Sequence, residues 1–318
     1  MKIFSKYLSL LVMALLPTLC FAALQEGTVQ VGVVKGAVTV IGPNGEKKLL
    51  EPGMAIKEGD KVETDGEGSV ELILSNGATL IVAKGSLVEL RTFRQVGSTG
   101  TQVEGLKSQE PTASVTEFVV SRGEITGSAP NLNPMSSFVV KGPSGEASVR
   151  SGIFDVKTSV SSEGLASMQI TCVKGVLQGT IYDSGIGSFA VAPGKVYSSA
   201  PPQVTSTPGT PANPTNSTFN EVYSSDASSA ELNKIADFID TNSGIRDQVV
   251  TSIREQAELV KDIVPTVDKV TAETPAKETE QKTTTETPTK FESTSSGGGA
   301  DSTQKLLEQT QNPSGTGG

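Results

Sequence analysis

Between positions 23 and 200 apolar residues come in short runs that alternate with polar ones, and Gly, Pro, Asn and Asp punctuate them. Period-two alternation broken by turn residues predicts β-strands. Ser69-Val70-Glu71-Leu72-Ile73-Leu74, then Ser75-Asn76-Gly77, then Ala78-Thr79-Leu80-Ile81-Val82 predict a hairpin over 69–82. Asn-Gly there supplies the positive φ angles of a type I′ turn. Gly42-Pro43-Asn44-Gly45 and Glu58-Gly59-Asp60 predict further turns. One pattern occurs three times, in Val34-Lys35-Gly36-Ala37-Val38, Ser121-Arg122-Gly123-Glu124-Ile125 and Val173-Lys174-Gly175-Val176-Leu177. In each, an apolar strand end meets a cation–Gly pair and a new strand begins. Gly at such a point lets the chain turn sharply onto the next layer. The expected fold over about 29–199 is all-β, with short antiparallel strands in a sandwich or solenoid-like stack.

The period changes after residue 225. Ser228 and Glu231 have capping-box spacing, and Leu232, Ile235, Ala236 and Ile239 follow on one helical face. Thr241-Asn242-Ser243-Gly244 breaks that helix, and Ser243 can cap a second one. Its stripe is Ile245, Val249, Ile253, Ala257, Val260 and Val264, stopped by Pro265. Two short helices are therefore predicted over 226–264. The preceding Pro/Thr/Ser-rich segment, 201–225, reads as a linker. Residues 265–318 are rich in Thr, Glu, Lys, Ser and Gly and have too few apolar residues to offset chain entropy, so a disordered acidic tail is expected.

The first 22 residues read as a secretory signal peptide. Lys2 and Lys6 form a positive start, Tyr7 to Leu19 is an apolar run, and Cys20-Phe21-Ala22 suits cleavage after Ala22. The run falls short of the roughly 20 residues a spanning helix needs. No membrane span is expected after cleavage. The expected compartment is the periplasm, the exterior or the cell surface.

Composition narrows the chemistry. The 318 residues include no His, no Trp and only two Cys. This excludes a Ser-His-Asp triad, a Cys-His pair, a His-based zinc site and a thiolate zinc cluster. A net charge of −9, carried mostly after residue 200, disfavours a nucleic-acid partner. Cys172, in Ile170-Thr171-Cys172-Val173, reads as a buried small hydrophobe; a reactive thiol there would have only Lys174 as a neighbouring cation. Glu63, Asp65, Glu67 and Glu71 cluster around Gly66 and Gly68. Their spacing does not fit an EF-hand loop, and a solvated hairpin edge is the plainer reading. Glu63 and Glu71 as an acid/base pair for sugar hydrolysis would lack aromatic platforms. Asn216-Ser217-Thr218 is a glycosylation sequon within the linker.

The β region resembles the FecR family of bacterial envelope proteins. The resemblance begins at Val33-Val34-Lys35-Gly36-Ala37-Val38-Thr39-Val40 and continues through Gly59-Asp60-Lys61-Val62-Glu63-Thr64. It includes the 69–80 strand pair with Asn76-Gly77, then Phe138-Val139-Val140-Lys141-Gly142-Pro143, then Ala147-Ser148-Val149-Arg150-Ser151-Gly152-Ile153-Phe154-Asp155-Val156. Val173-Lys174-Gly175-Val176 and Ala192-Pro193-Gly194-Lys195 are similar to its closing elements. Ser151-Gly152-Ile153 stands where the family shows Gly-Thr-x. The resemblance implies structural roles for Gly36, Gly59, Asp60, Thr64, Asn76, Gly77, Pro143, Val149, Arg150, Phe154, Gly175 and Gly194. The best-known members are transmembrane regulators that receive a signal from an outer-membrane iron-siderophore transporter and act on a cytoplasmic sigma factor. For this chain the resemblance implies an exported, non-catalytic module without a cofactor, binding a protein or envelope polymer, in signalling or regulation. The alternative is a structural or adhesive surface protein with the β domain as spacer.

Overall fold

A computed structural model describes residues 24–97, 108–161, 164–199, 221–244, 247–263 and 267–270. Residues 1–22, expected to be a signal peptide, the sequon at Asn216 and the stretch from 271 onward lie outside the described residues. The chain is mostly β, and two helices occur among the described residues. The first half runs β1 (Leu24–Glu26), β2 (Val29–Lys35), β3 (Val38–Ile41), β4 (Lys47–Leu49), β5 (Ala55–Ile56), β6 (Lys61–Thr64), β7 (Ser69–Leu74), β8 (Thr79–Val82) and β9 (Leu87–Val96). Then come β10 (Ser114–Ala129), β11 (Ser137–Gly142), β12 (Gly145–Val160), β13 (Ala166–Ile181), β14 (Ser188–Val191), β15 (Lys195–Ser198) and β16 (Val222–Asp226). The helices α1 (Ser229–Asn242) and α2 (Asp247–Leu259) follow, and β17 (Val267–Val270) returns to the sheet.

Hydrogen bonding is continuous and closes on itself, yet the strands form two layers. The first layer has the order β4–β3–β6–β9–β10–β11–β12–β13–β14, with β1 on the far end of β9. The second has the order β5–β2–β7–β8–β10–β12–β13–β15–β16–β17. Strands β10, β12 and β13 belong to both. Each has 16 residues and amounts to two short strands joined by a bend. Before the bend, β11 separates β10 from β12 and pairs parallel with β10; after it, β10 and β12 pair directly.

The bends are the cation–Gly points of the sequence. Arg122-Gly123 bends β10, Lys174-Gly175 bends β13, and Lys35-Gly36 carries β2 of the second layer into β3 of the first. The bend of β12 lies at Gly152, directly opposite Gly175. Both have φ above +100°, and a Cβ on either would strike the other strand's backbone. Only Gly permits that crossing.

Alternation then fixes the core. Val38, Val62, Val88, Phe118 and Phe138 of the first layer meet Val31, Leu72, Leu80, Val82, Phe154 and Ile170 of the second. Phe138 and Phe154 touch edge to face across the layers, 6.0 Å between ring centres. The outer face of the second layer is also apolar, through Ile81, Ile153, Val173 and Val196, and the helices cover it. Leu232, Ile235, Ala236 and Ile239 of α1 are buried there, as are Val249, Val250, Ile253 and Ala257 of α2. Each large aliphatic side chain so covered contributes about 1.5–3 kcal/mol. The outer face of the first layer is polar and carries an alternating row of charges. Lys61 pairs with Glu89, Glu89 with Arg91, Arg91 with Glu117, and Glu117 with Lys141.

Two segment boundaries differ from the sequence reading. Val222–Asp226, whose first four residues fall in the expected linker and whose last falls in the expected helical segment, is strand β16, and Val267–Val270, expected in the tail, is strand β17. Both are short and polar, and cross-strand pairing rather than apolar pattern orders them. The 69–82 hairpin forms, but not with a type I′ turn. Gly77 alone takes a positive φ, +92°, and its N–H donates to Leu74 O. Asn76 keeps a negative φ and caps the turn, Oδ1 accepting from Ala78 N–H at 3.1 Å. This is the three-residue loop in which a Gly completes a bulge.

Candidate functional site

The helical pair is fixed to the sheet at its junction. Ser228 and Glu231 form the capping box that starts α1, and the helix ends at Asn242. At that end Lys35 Nζ donates to Thr241 O, and Ser69 Oγ donates to Asn242 Oδ1 at 2.7 Å. Glu71 is buried on the same face of β7. It accepts from Ser243 Oγ, from Gly244 N–H at 3.1 Å and from Val33 N–H at 3.3 Å. One carboxylate thus joins β2, β7 and the helix break.

Beside this junction, α1 and the sheet leave a cleft of about 300 Å3. Lys234, Phe238 and Asn242, spaced four apart on one helical face, form one wall. Glu67 to Ser69, Lys84 and Glu124 form the other. Near it lies Asp155, buried on the outer face of the second layer, which accepts from Thr126 Oγ1 at 2.7 Å. Burial above all, then the charge of Glu124, pushes its carboxyl up to about 8. Lys157 and Lys234 act in the opposite sense and do not offset it.

The consequence for stability has a definite sign. From pH 3.8 to about 8 the unfolded carboxyl is ionised while the folded one keeps its proton, so each pH unit upward costs about 1.4 kcal/mol. The cost is absent below that window and complete above it. Asp155→Asn keeps the acceptor for Thr126 and removes the titration. It should stabilise the protein by about 2–4 kcal/mol at pH 7.5 and very little at pH 4. Urea melts of both proteins at the two pH values check this; an equal difference at both would refute it.

The acidic quartet is not brought together. Glu63 is on the first layer, between Arg122 at 2.8 Å and Lys47 at 3.4 Å, and Arg122 foremost holds its carboxyl below the usual range. Asp65 caps its own turn through Glu67 N–H. Glu71 is under the helices. Among the described residues no group of three or more acidic or thiol side chains could hold a metal ion. Cys172 lies in the core between the layers, and burial pushes its thiol up to about 12.

The residues on which the resemblance rests fall mostly on bends, turns and core. Gly36 and Gly175 are at layer crossings. Gly59 N–H donates to Leu90 O, and Asp60 Oδ2 accepts from Lys57 N–H at 2.9 Å. Thr64, buried, donates to Ala83 O and accepts from Ser86 N–H. Asn76 and Gly77 make the hairpin turn, and Pro143 follows Gly142 in the tight turn closed by Gly145. Val149 and Phe154 are fully buried. Arg150 donates to Ser136 O at 2.6 Å, and Gly194 N–H donates to Cys172 O.

Sequence reasoning missed one polar centre. Glu110 is buried and accepts from Ser114 Oγ, Ser136 Oγ and Asn133 N–H. Ser114 in turn accepts from Asn76 Nδ2, which ties the hairpin turn into the network. No periodicity marks Glu110, because it sits in a loop.

Among the described residues no helix is long and apolar enough to cross a membrane. No protein-family model matches the chain. No curated protein matches it. Two crystal structures of a candidate anti-sigma factor from Parabacteroides distasonis are similar to it over 43% of its length, at 13% and 14% identity and a TM-score of 0.31 each. The chain spans 53% of theirs, about half. A cell surface anchoring domain is similar at 31% identity over 20% of this chain and 86% of its own, with a TM-score of 0.20.

Proposed function

We propose that this chain is an exported, non-catalytic FecR-like module that binds a protein or an envelope polymer in envelope signalling or regulation. One observation carries the reading: residues that resemble the family, in the family's order, occupy the bends, turns and core of a two-layer β body. The resemblance is therefore one of scaffold, which the same sequence pattern would maintain around a binding surface. The polar outer face of the first layer, with its row from Lys61 to Lys141, is the broad surface left for such a partner. The leader read from residues 1–22 supports export.

The test is fractionation of cells expressing the full chain, with a photo-crosslinker at Val119 on that outer face. Recovery with the envelope or medium, a mature N-terminus at Ala23 and a discrete crosslinked adduct are expected. Recovery of the uncut chain in the cytosol would remove export, and envelope recovery without any adduct would remove binding through this face.

A further inference from the structure

We propose that the cleft between α1 and the sheet binds a small organic anion, a carboxylate or phosphate carried on a short apolar body. The inference does not depend on the export reading. The cavity, about 300 Å3, is at the lower end of the range for small-molecule sites. Its walls belong to different layers, so a bound molecule would touch helix and sheet together.

Charge selects the class. Lys84 and Lys234 both line the cleft, and neither has an ion-pair partner among the described residues. Of the acids nearby, Glu124 is paired with Lys157 at 3.6 Å. Buried Asp155 keeps its proton at neutral pH and adds no charge. Among the described residues that line the cleft, Glu67 then stands alone against the two ammonium groups, and an anion completes the balance. Phe238, half-buried between Lys234 and the helix break, offers an apolar face for the body of the ligand. Ser69 and Asn242 are already bonded to each other and close the far end of the cleft.

The experiment is calorimetric titration of the purified chain at pH 7 with benzoate, phenyl phosphate, inorganic phosphate and benzylammonium, repeated with K84Q/K234Q and with Phe238→Ala. Both lysines are solvent-facing, so the double variant should melt as the parent does. Saturable binding of benzoate or phenyl phosphate is expected, weakened at least about tenfold in K84Q/K234Q and also weakened in Phe238→Ala. The stronger of the two aryl ligands separates a carboxylate site from a phosphate site. Inorganic phosphate binding as well as phenyl phosphate would remove the role of Phe238. The proposal is overturned if neither aryl anion saturates at millimolar concentration, if benzylammonium binds as well, or if K84Q/K234Q binds like the parent while still folded.

Discussion

Gly175→Ala should fail to fold at 37 °C, or unfold with a loss above about 4 kcal/mol. Two effects add there. The backbone has φ +109°, a region that costs an L side chain about 1–2 kcal/mol. The new Cβ would also lie 2.1 Å from Ser151 O, a backbone atom of the facing strand with no rotamer to give. Gly152→Ala meets the same obstacle from the other side, 1.9 Å from Lys174 O. Relief requires β12 and β13, paired along their whole length, to part where they change layers, and the core sits on both sides of that point. Gly45→Ala supplies the control. It has φ +82° with open space around the new Cβ, so it should show the backbone cost alone. Thermal melts of the three variants check the argument; if Gly175→Ala costs no more than Gly45→Ala, the crossing is not the constraint described.

Glu71→Ala should cost about 3–5 kcal/mol, and Glu71→Gln about 2–3 kcal/mol. The carboxylate receives N–H or O–H groups from Val33, Ser243 and Gly244, in surroundings that are buried. Alanine removes the acceptor that these donors share. Glutamine keeps the shape but turns an amide NH2 toward groups that are themselves donors. The loss should be local before it is global. Amide exchange at Val33 and Gly244 should accelerate in Glu71→Gln while the core amides of Phe118 and Phe154 keep their protection. Uniform acceleration, or none, would show that Glu71 does not hold the helices to the sheet.

These two sites differ in how far the sequence discloses them. The recurring cation–Gly pairs mark three of the four Gly bends at Gly36, Gly123, Gly152 and Gly175, because a bend that admits no Cβ must use Gly and leaves that residue in the sequence. Gly152 follows Ser151 rather than a cation, so the recurring pattern does not mark its bend. The helix stripe of Leu232, Ile235, Ala236 and Ile239 was equally plain, since one-sided burial produces helical periodicity. Its docking surface was less so. Ile81, Ile153 and Val173 sit beside inward-facing Leu80, Phe154 and Cys172, so alternation breaks into continuous apolar runs, the mark of a sheet covered on both faces. Glu71 looked like the polar member of an alternating strand. Its partner Ser243 lies 172 residues away, and no local pattern encodes that contact. The cleft is hidden for the same reason: Lys84 and Lys234 acquire a common role only when α1 crosses the sheet.

Strand β16 lies directly against β15, with Tyr223 opposite Ser198. The intervening stretch therefore departs from and rejoins the body at a single spot. Loop-closure entropy grows only logarithmically, about 0.6 kcal/mol for each doubling of length. A whole folded cargo, a fluorescent reporter for instance, spliced between Ser198 and Tyr223 should therefore leave the pairing of β15 with β16 in place.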